Sequence, residues 1–194
     1  MRKSISKLLI IAIISLNISN LSAQTEKYAF IEVENLSNIS YESYLQPQIN
    51  LYSSSINSDS KLGFYYFGLI NEYWGQAYAG LLYNPSDWFS IGVGAGLEVD
   101  DNPYRFNLSM FINKNKFSLT QIFEYGGSGF WYNIIVDYRI AEQTKMGIVF
   151  RRYYGLGINY ENGFKNSPFA LILAPLYDYE DENFKFYYAL RYTL

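Results

Sequence analysis

The chain has 194 residues, a formal net charge of −3, no cysteine and no histidine. Those absences exclude a disulfide framework, an acylated-cysteine anchor, thiolate and imidazole metal ligands and the commonest general base. The acidic balance argues against nucleic acid as a partner, and 21 Tyr and 14 Phe are more aromatic surface than a hydrated exterior would carry.

At the start of the chain Arg2, Lys3 and Lys7 flank the apolar stretch Leu8 to Leu16, which leads to Leu21-Ser22-Ala23 before Gln24. This is the pattern of a secretory signal peptide, residues 1–23, with cleavage after Ala23. The apolar core is shorter than the roughly 20 residues of a spanning helix. Loss of Arg2, Lys3 and Lys7 leaves 12 basic and 18 acidic residues, a net charge of −6. Beyond it no apolar run is long enough to span as a helix, whereas a membrane strand needs only about 9 to 11 residues and reads as alternation.

From Lys27 onward short alternating runs are separated by clusters of Asn, Asp, Gly, Ser or Pro, the signature of an antiparallel meander in one domain, residues 24–194. Runs begin near Lys27, Ser43, Lys61, Tyr73, Trp88, Tyr104, Lys116, Phe130, Thr144, Pro168 and Asn183. In Trp88 to Glu98, Phe89, Ile91, Val93, Ala95 and Leu97 alternate with Ser90, Gly92, Gly94, Gly96 and Glu98. The run from Tyr104 sets Phe106, Leu108 and Met110 against Arg105, Asn107 and Ser109. The run from Phe130 sets Ile134, Val136 and Tyr138 against Asn133, Asp137 and Arg139, and the last sets Phe184, Phe186, Tyr188, Leu190 and Tyr192 against Lys185, Arg191 and Thr193. The period is two, not 3.6.

Bacterial single-chain barrels close on an even number of strands. Either the run from Lys27 lies outside, leaving ten, or Thr144 to Tyr160 hides a hairpin, giving twelve; the length of that interval favours twelve. Two-residue turns at Asp101-Asn102 and Lys114-Asn115 would place Leu97 opposite Phe106, Glu98 opposite Arg105, Phe106 opposite Phe123, Leu108 opposite Gln121 and Arg105 opposite Glu124. The connections are short, so sequential strands are neighbours in an up-and-down barrel.

Alternation alone suits a soluble β-sandwich as well as a barrel. The charges favour the barrel, because Glu98, Arg105, Glu124, Asp137, Arg139, Arg151, Lys185 and Arg191 all fall on the non-apolar face, as in a polar lumen. Tyr104, Tyr125, Phe130, Tyr138, Phe184 and Tyr192 sit near run ends, where aromatic rings meet a membrane interface. Gly, Ser and Asn on the polar face suit a crowded interior.

On this signal peptide, this strand pattern and the final run Phe184 to Leu194, the chain resembles the small outer-membrane β-barrels of Asn-, Lys- and Tyr-rich Gram-negative bacteria, of Bacteroidota type, over Lys27 to Leu194. The final run looks like the strand that the barrel-assembly machinery recognises, although it ends in Leu194 where that class usually ends in an aromatic residue. The resemblance implies a cell-envelope protein of the outer membrane, in contact with lipid and lipopolysaccharide.

Within that frame Glu98, Arg105 and Glu124 form a charge row, with Asp137, Arg139 and Arg151 as further lumen charges. The bland reading is a structural salt-bridge network, and the functional one is selectivity or ligand binding. Arg152 is expected on the lipid side between Phe150 and Tyr154, as a phosphate partner in a lipid headgroup or a residue at a strand end. Asp178, Glu180, Asp181 and Glu182 crowd one loop without the spacing of a calcium motif. Gly92, Gly94 and Gly96, like Gly155 and Gly157, are read as relieving crowding. No catalytic residue, metal site or cofactor is expected. The functional expectation is a non-enzymatic barrel, either a narrow pore with a charged lumen or a subunit lending its wall to other envelope proteins. A lipid-directed enzyme and a secreted sandwich that binds a ligand are the alternatives.

Overall fold

The computed structural model describes residues 25–38 and 47–194. Within them lie β1 (Thr25–Asn38), β2 (Gln48–Asn57), β3 (Leu62–Ile70), β4 (Gly75–Ser86), β5 (Phe89–Glu98), β6 (Tyr104–Lys114), β7 (Phe117–Gly126), β8 (Gly129–Ala141), β9 (Thr144–Arg151), β10 (Gly155–Gly163), β11 (Phe169–Asp178) and β12 (Asn183–Thr193). Each strand pairs antiparallel with its sequence neighbour and β12 returns to β1, closing a twelve-stranded barrel. The expected signal peptide and the expected second start at Ser43 lie outside the described residues.

The hidden hairpin decides the strand number. The run from Thr144 breaks after Arg151, and Arg152-Tyr153-Tyr154 turns the chain into β10. Tyr153 takes φ 67° and Gly155 φ 110°, the left-handed backbone that so tight a reversal uses. The first run is no appendage, since β1 pairs with both β2 and β12. Closure removes the free edges, and the last amide, on Leu194, donates to the Ala29 carbonyl at 2.9 Å.

The apolar face points outward. Phe106 is 60% exposed and Leu108 46%, while Arg105 and Asp137 on the opposite face are 3% and 7% exposed. A sandwich would put these residues the other way round, with the apolar side chains packed at the centre. Around the barrel the outer wall carries Leu62, Phe64, Leu81, Val93, Ile148 and Ile158 among its exposed residues. In lipid this belt needs no further cover.

Two expected registers are off by two residues. Leu97 faces Tyr104 and Gly96 faces Arg105, because residues 99–103 form a longer connection in which the Glu98 amide donates to the Pro103 carbonyl at 2.8 Å. In the next hairpin Phe106 faces Tyr125, Leu108 faces Phe123 and Arg105 faces Gly126. Its turn is Asn115-Lys116, one residue later than expected, with Asn115 at φ 59°. Asn tolerates that conformation better than the Lys that a turn one residue earlier would put first. A slip of two keeps every side chain on its face, so the inside and outside assignments survive.

Alternate strand direction gives the barrel two rims. Thr25 and Leu194 lie at one, the terminal rim, with the β2–β3, β4–β5, β6–β7, β8–β9 and β10–β11 turns. The other, distal rim carries the remaining connections.

Candidate functional site

The lumen holds the chain's concentration of buried charge, and its best-formed cluster is the one built around Arg105 on β6. Its Nε donates to Glu124 Oε2 on β7 at 2.7 Å, and its Nη1 donates to Glu98 Oε2 on β5. Ser128, in the β7–β8 turn, closes the circuit: its hydroxyl accepts from Arg105 at 2.8 Å and donates to Glu98 at 2.9 Å. From β4, Tyr78 and Gln76 donate to Glu124 at 2.8 and 3.1 Å. The carboxylates reach Arg105 diagonally rather than from directly opposite, which is why the cluster tolerates the register correction.

Between these groups the wall is thin. Gly80, Gly92, Gly94 and Gly96 are inward positions of β4 and β5, packed against Tyr65 and Tyr78. A Cβ on Gly94 would stand 3.1 Å from the Tyr65 ring and closer to its hydroxyl, and one on Gly92 would come within 2.5 Å of the Ser109 hydroxyl. The bare floor lets Tyr65 on β3 lie against the wall and donate to Asn107 on β6 at 2.6 Å. The expected role of these glycines, relief of crowding, therefore has a specific beneficiary.

The opposite half is organised by Glu32 and Glu34, successive inward positions of β1. Glu34 accepts from Gln48 at 2.6 Å, Asn50 at 2.8 Å, Tyr154 at 2.9 Å and Tyr187 at 3.1 Å. Arg151 on β9 reaches it at 3.5 Å, across the inner faces of β10, β11 and β12. The guanidinium is stacked between Tyr154 and Tyr187, 4.7 and 4.9 Å from the ring centres. The intervening strands β10, β11 and β12 again carry small residues on their inner faces, Gly157, Ala174 and Ala189. Nearer the terminal rim Arg191 joins Glu32 at 2.7 Å and Glu161 at 3.2 Å, and Lys145 joins Glu161 at 2.7 Å. Asp137 accepts from Asn159 at 2.9 Å and, among the described residues, has no ion pair.

The remaining expected residues are placed differently. Arg139 is exposed near the end of β8, beside an irregularity in its pairing, and makes no ion pair among the described residues; its amide donates to the Lys116 carbonyl. It belongs to the rim, not to the lumen network. Arg151 and Arg152 do diverge, but Arg152 sits in the β9–β10 turn, where it donates to the Phe130 carbonyl, stacks on Tyr153 at 4.7 Å and lies 3.8 Å from Glu180. Tyr154, expected outside beside it, points inward onto Glu34 because the turn interrupts the alternation. In the acidic loop Asp178 and Asp181 both hold Lys185, at 2.6 and 2.7 Å, so a lysine occupies the place between those carboxylates. No metal-binding cluster of His, Cys, Asp and Glu occurs among the described residues.

The cavity inside the barrel measures about 670 Å³, and its lining runs from Trp74 and Ser128 near the distal rim to Tyr28 and Lys145 near the terminal rim. Its wall is less polar than the alternation suggests. Phe30 and Tyr52 stack at 5.4 Å on one side, continuing to Tyr65 at 6.2 Å. Ile135, Val149 and Ile172 line the other. Glu32, Glu34, Tyr65, Tyr187 and these apolar inward residues were not singled out by sequence, although the parity of their strands was the available signal.

No family model and no curated protein matches the chain. Among solved structures it is similar to the KdgM porin, with 13% identity, a TM-score of 0.56, and coverage of 84% of this chain and 98% of that one. A structure of the KdgM porin in complex with disordered oligogalacturonate aligns with 14% identity, a TM-score of 0.53, and coverage of 85% and 98%. At that identity the likeness is one of architecture: this chain has the closed antiparallel barrel fold of a porin.

Proposed function

We propose that this protein is a narrow, non-enzymatic channel of the outer membrane, passing small hydrophilic solutes through a charged lumen. The observation that carries the reading is the cavity lined from one rim to the other inside a closed barrel whose outer wall is apolar. The outward belt fits lipid, and the lumen offers water and solute a path bounded by fixed charges. Catalysis has no support in the side chains on view: the buried carboxylates are taken up by arginine, lysine, tyrosine and amide partners rather than presented beside a nucleophile.

The polyanion named with the KdgM porin does not carry over to this chain. Arg105, Arg151, Arg191 and Lys145 are each already engaged by a carboxylate, so no cationic ladder stands ready for an acidic sugar chain. The Glu34–Arg151 strut and the aromatic side chains of β1–β4 line the cavity and narrow the bore. Reconstitution in planar lipid bilayers tests the reading. Stepwise, reproducible single-channel conductance is the expected result; a folded, heat-modifiable barrel that inserts and stays electrically silent would overturn it.

A further inference from the structure

We infer that the lumen selects cations over anions and that Asp137 is its principal selectivity determinant, an inference that rests on the channel reading above. The charges along the inner wall are not balanced. Among the described residues every inward guanidinium or ammonium of the lumen is held by at least one carboxylate: Arg105 by Glu98 and Glu124, Arg151 by Glu34, Arg191 by Glu32 and Glu161, Lys145 by Glu161, and Lys185 by Asp178 and Asp181. Asp137 is the exception on the acidic side. It lines the cavity, its Oδ1 accepts one amide hydrogen bond from Asn159, and among the described residues its Oδ2 has no partner.

An engaged guanidinium has little field left for a passing anion, because the carboxylate on it cancels most of its charge within a few ångströms. A carboxylate held only by a neutral amide keeps its charge. Asp137 therefore presents to solute a negative charge that no wall cation pairs, the inward cations nearest it, Lys145 and Arg191, being held by Glu161 and Glu32. Position adds to the effect. Asp137 stands on β8 opposite Gly147 of β9, and its Oδ1 lies over the bare backbone there, where a Cβ would come within 2.5 Å of it. Apolar neighbours such as Ile135 and Val149 line the same cavity, so its field is screened less by water than that of a rim residue. The distal turns reinforce the sign, carrying Glu72, Asp100, Asp101, Glu180 and Glu182 against Arg152. A small cation is the class of solute this lumen favours.

The test is the reversal potential of the reconstituted full-length barrel across a potassium chloride gradient. Wild type should pass potassium in preference to chloride by about fivefold. Asp137→Asn, which keeps shape and the place of the Asn159 contact, should cut that ratio by at least about half with conductance retained. Asp137→Glu should keep it. Asp59→Asn, in the exposed β2–β3 turn, should leave it unchanged. A wild-type ratio at or below one overturns cation selection whatever the variants do. An Asp59→Asn effect as large as that of Asp137→Asn, or none in Asp137→Asn, overturns the assignment to Asp137. The absence of any conductance in wild type strikes at the channel reading instead, so the two failures are told apart.

Discussion

Arg105 and Arg151 both stand near the distal rim on the inner wall, yet they are held in opposite ways. Arg105 is tied to carboxylates on the strands immediately beside it, with Ser128 completing the ring, and it lies within the wall of β4–β7. Arg151 reaches over three strands to Glu34, a carboxylate that already has Gln48, Asn50, Tyr154 and Tyr187 as donors. The first arrangement binds neighbouring strands locally, along the wall. The second crosses part of the lumen and ties β9 to the β1–β12 closure. Both are buried ion pairs, but one is a property of the wall and the other of the bore, so breaking them should separate stability from conductance.

The largest effect should come from Arg105→Ala. It leaves Glu98 and Glu124 buried together without a cation, a situation that costs about 3 to 5 kcal/mol. The denaturant midpoint in detergent micelles should fall accordingly, while folded molecules should conduct within about a factor of two of wild type. Arg151→Ala should cost less, about 1 to 3 kcal/mol, since Glu34 keeps its neutral donors. Its signature should be electrical: removal of the strut should raise single-channel conductance by about twofold. If Arg105→Ala opens the pore as much as Arg151→Ala, the distinction between wall and bore is lost.

Smaller changes sharpen the same contrast. Gly94→Ala puts a methyl group where the Tyr65 hydroxyl and ring edge lie. The ring should be displaced into the lumen, and conductance should drop by roughly a third, with about 1 kcal/mol of stability lost from the hydrogen bond to Asn107. Tyr65→Phe should cost about 0.5 to 1.5 kcal/mol from that hydrogen bond alone and leave conductance at the wild-type value. Equal conductance in the two variants would mean that the glycine floor does not govern the bore.

Strand period, the sense of each face and the charge row around Arg105 were readable in the amino-acid order because each depends on parity within a strand or on pairing between adjacent strands. The row even survived two misplaced turns, since a slip of two residues keeps Glu98, Arg105 and Glu124 on one face within diagonal reach. The hidden hairpin was legible only through length, as the turn Arg152-Tyr153-Tyr154 is built from residues that also suit a strand.

What the linear order determined is therefore local: which residues face lipid, which face inward, and which near neighbours can share a charge. Closure decided the rest. Glu34 meets Arg151 and Tyr154, 117 and 120 residues away in the chain, only because β12 folds back onto β1 and brings β9 within reach across the lumen. Asp137 is left without a cation because Lys145 is claimed by Glu161 on the adjacent strand and Arg191 by Glu32 across the β1–β12 closure. Alternation carries no information about which inward side chains will meet across a barrel; strand number, register and the small residues of the floor set that together, and they exist only in the closed structure.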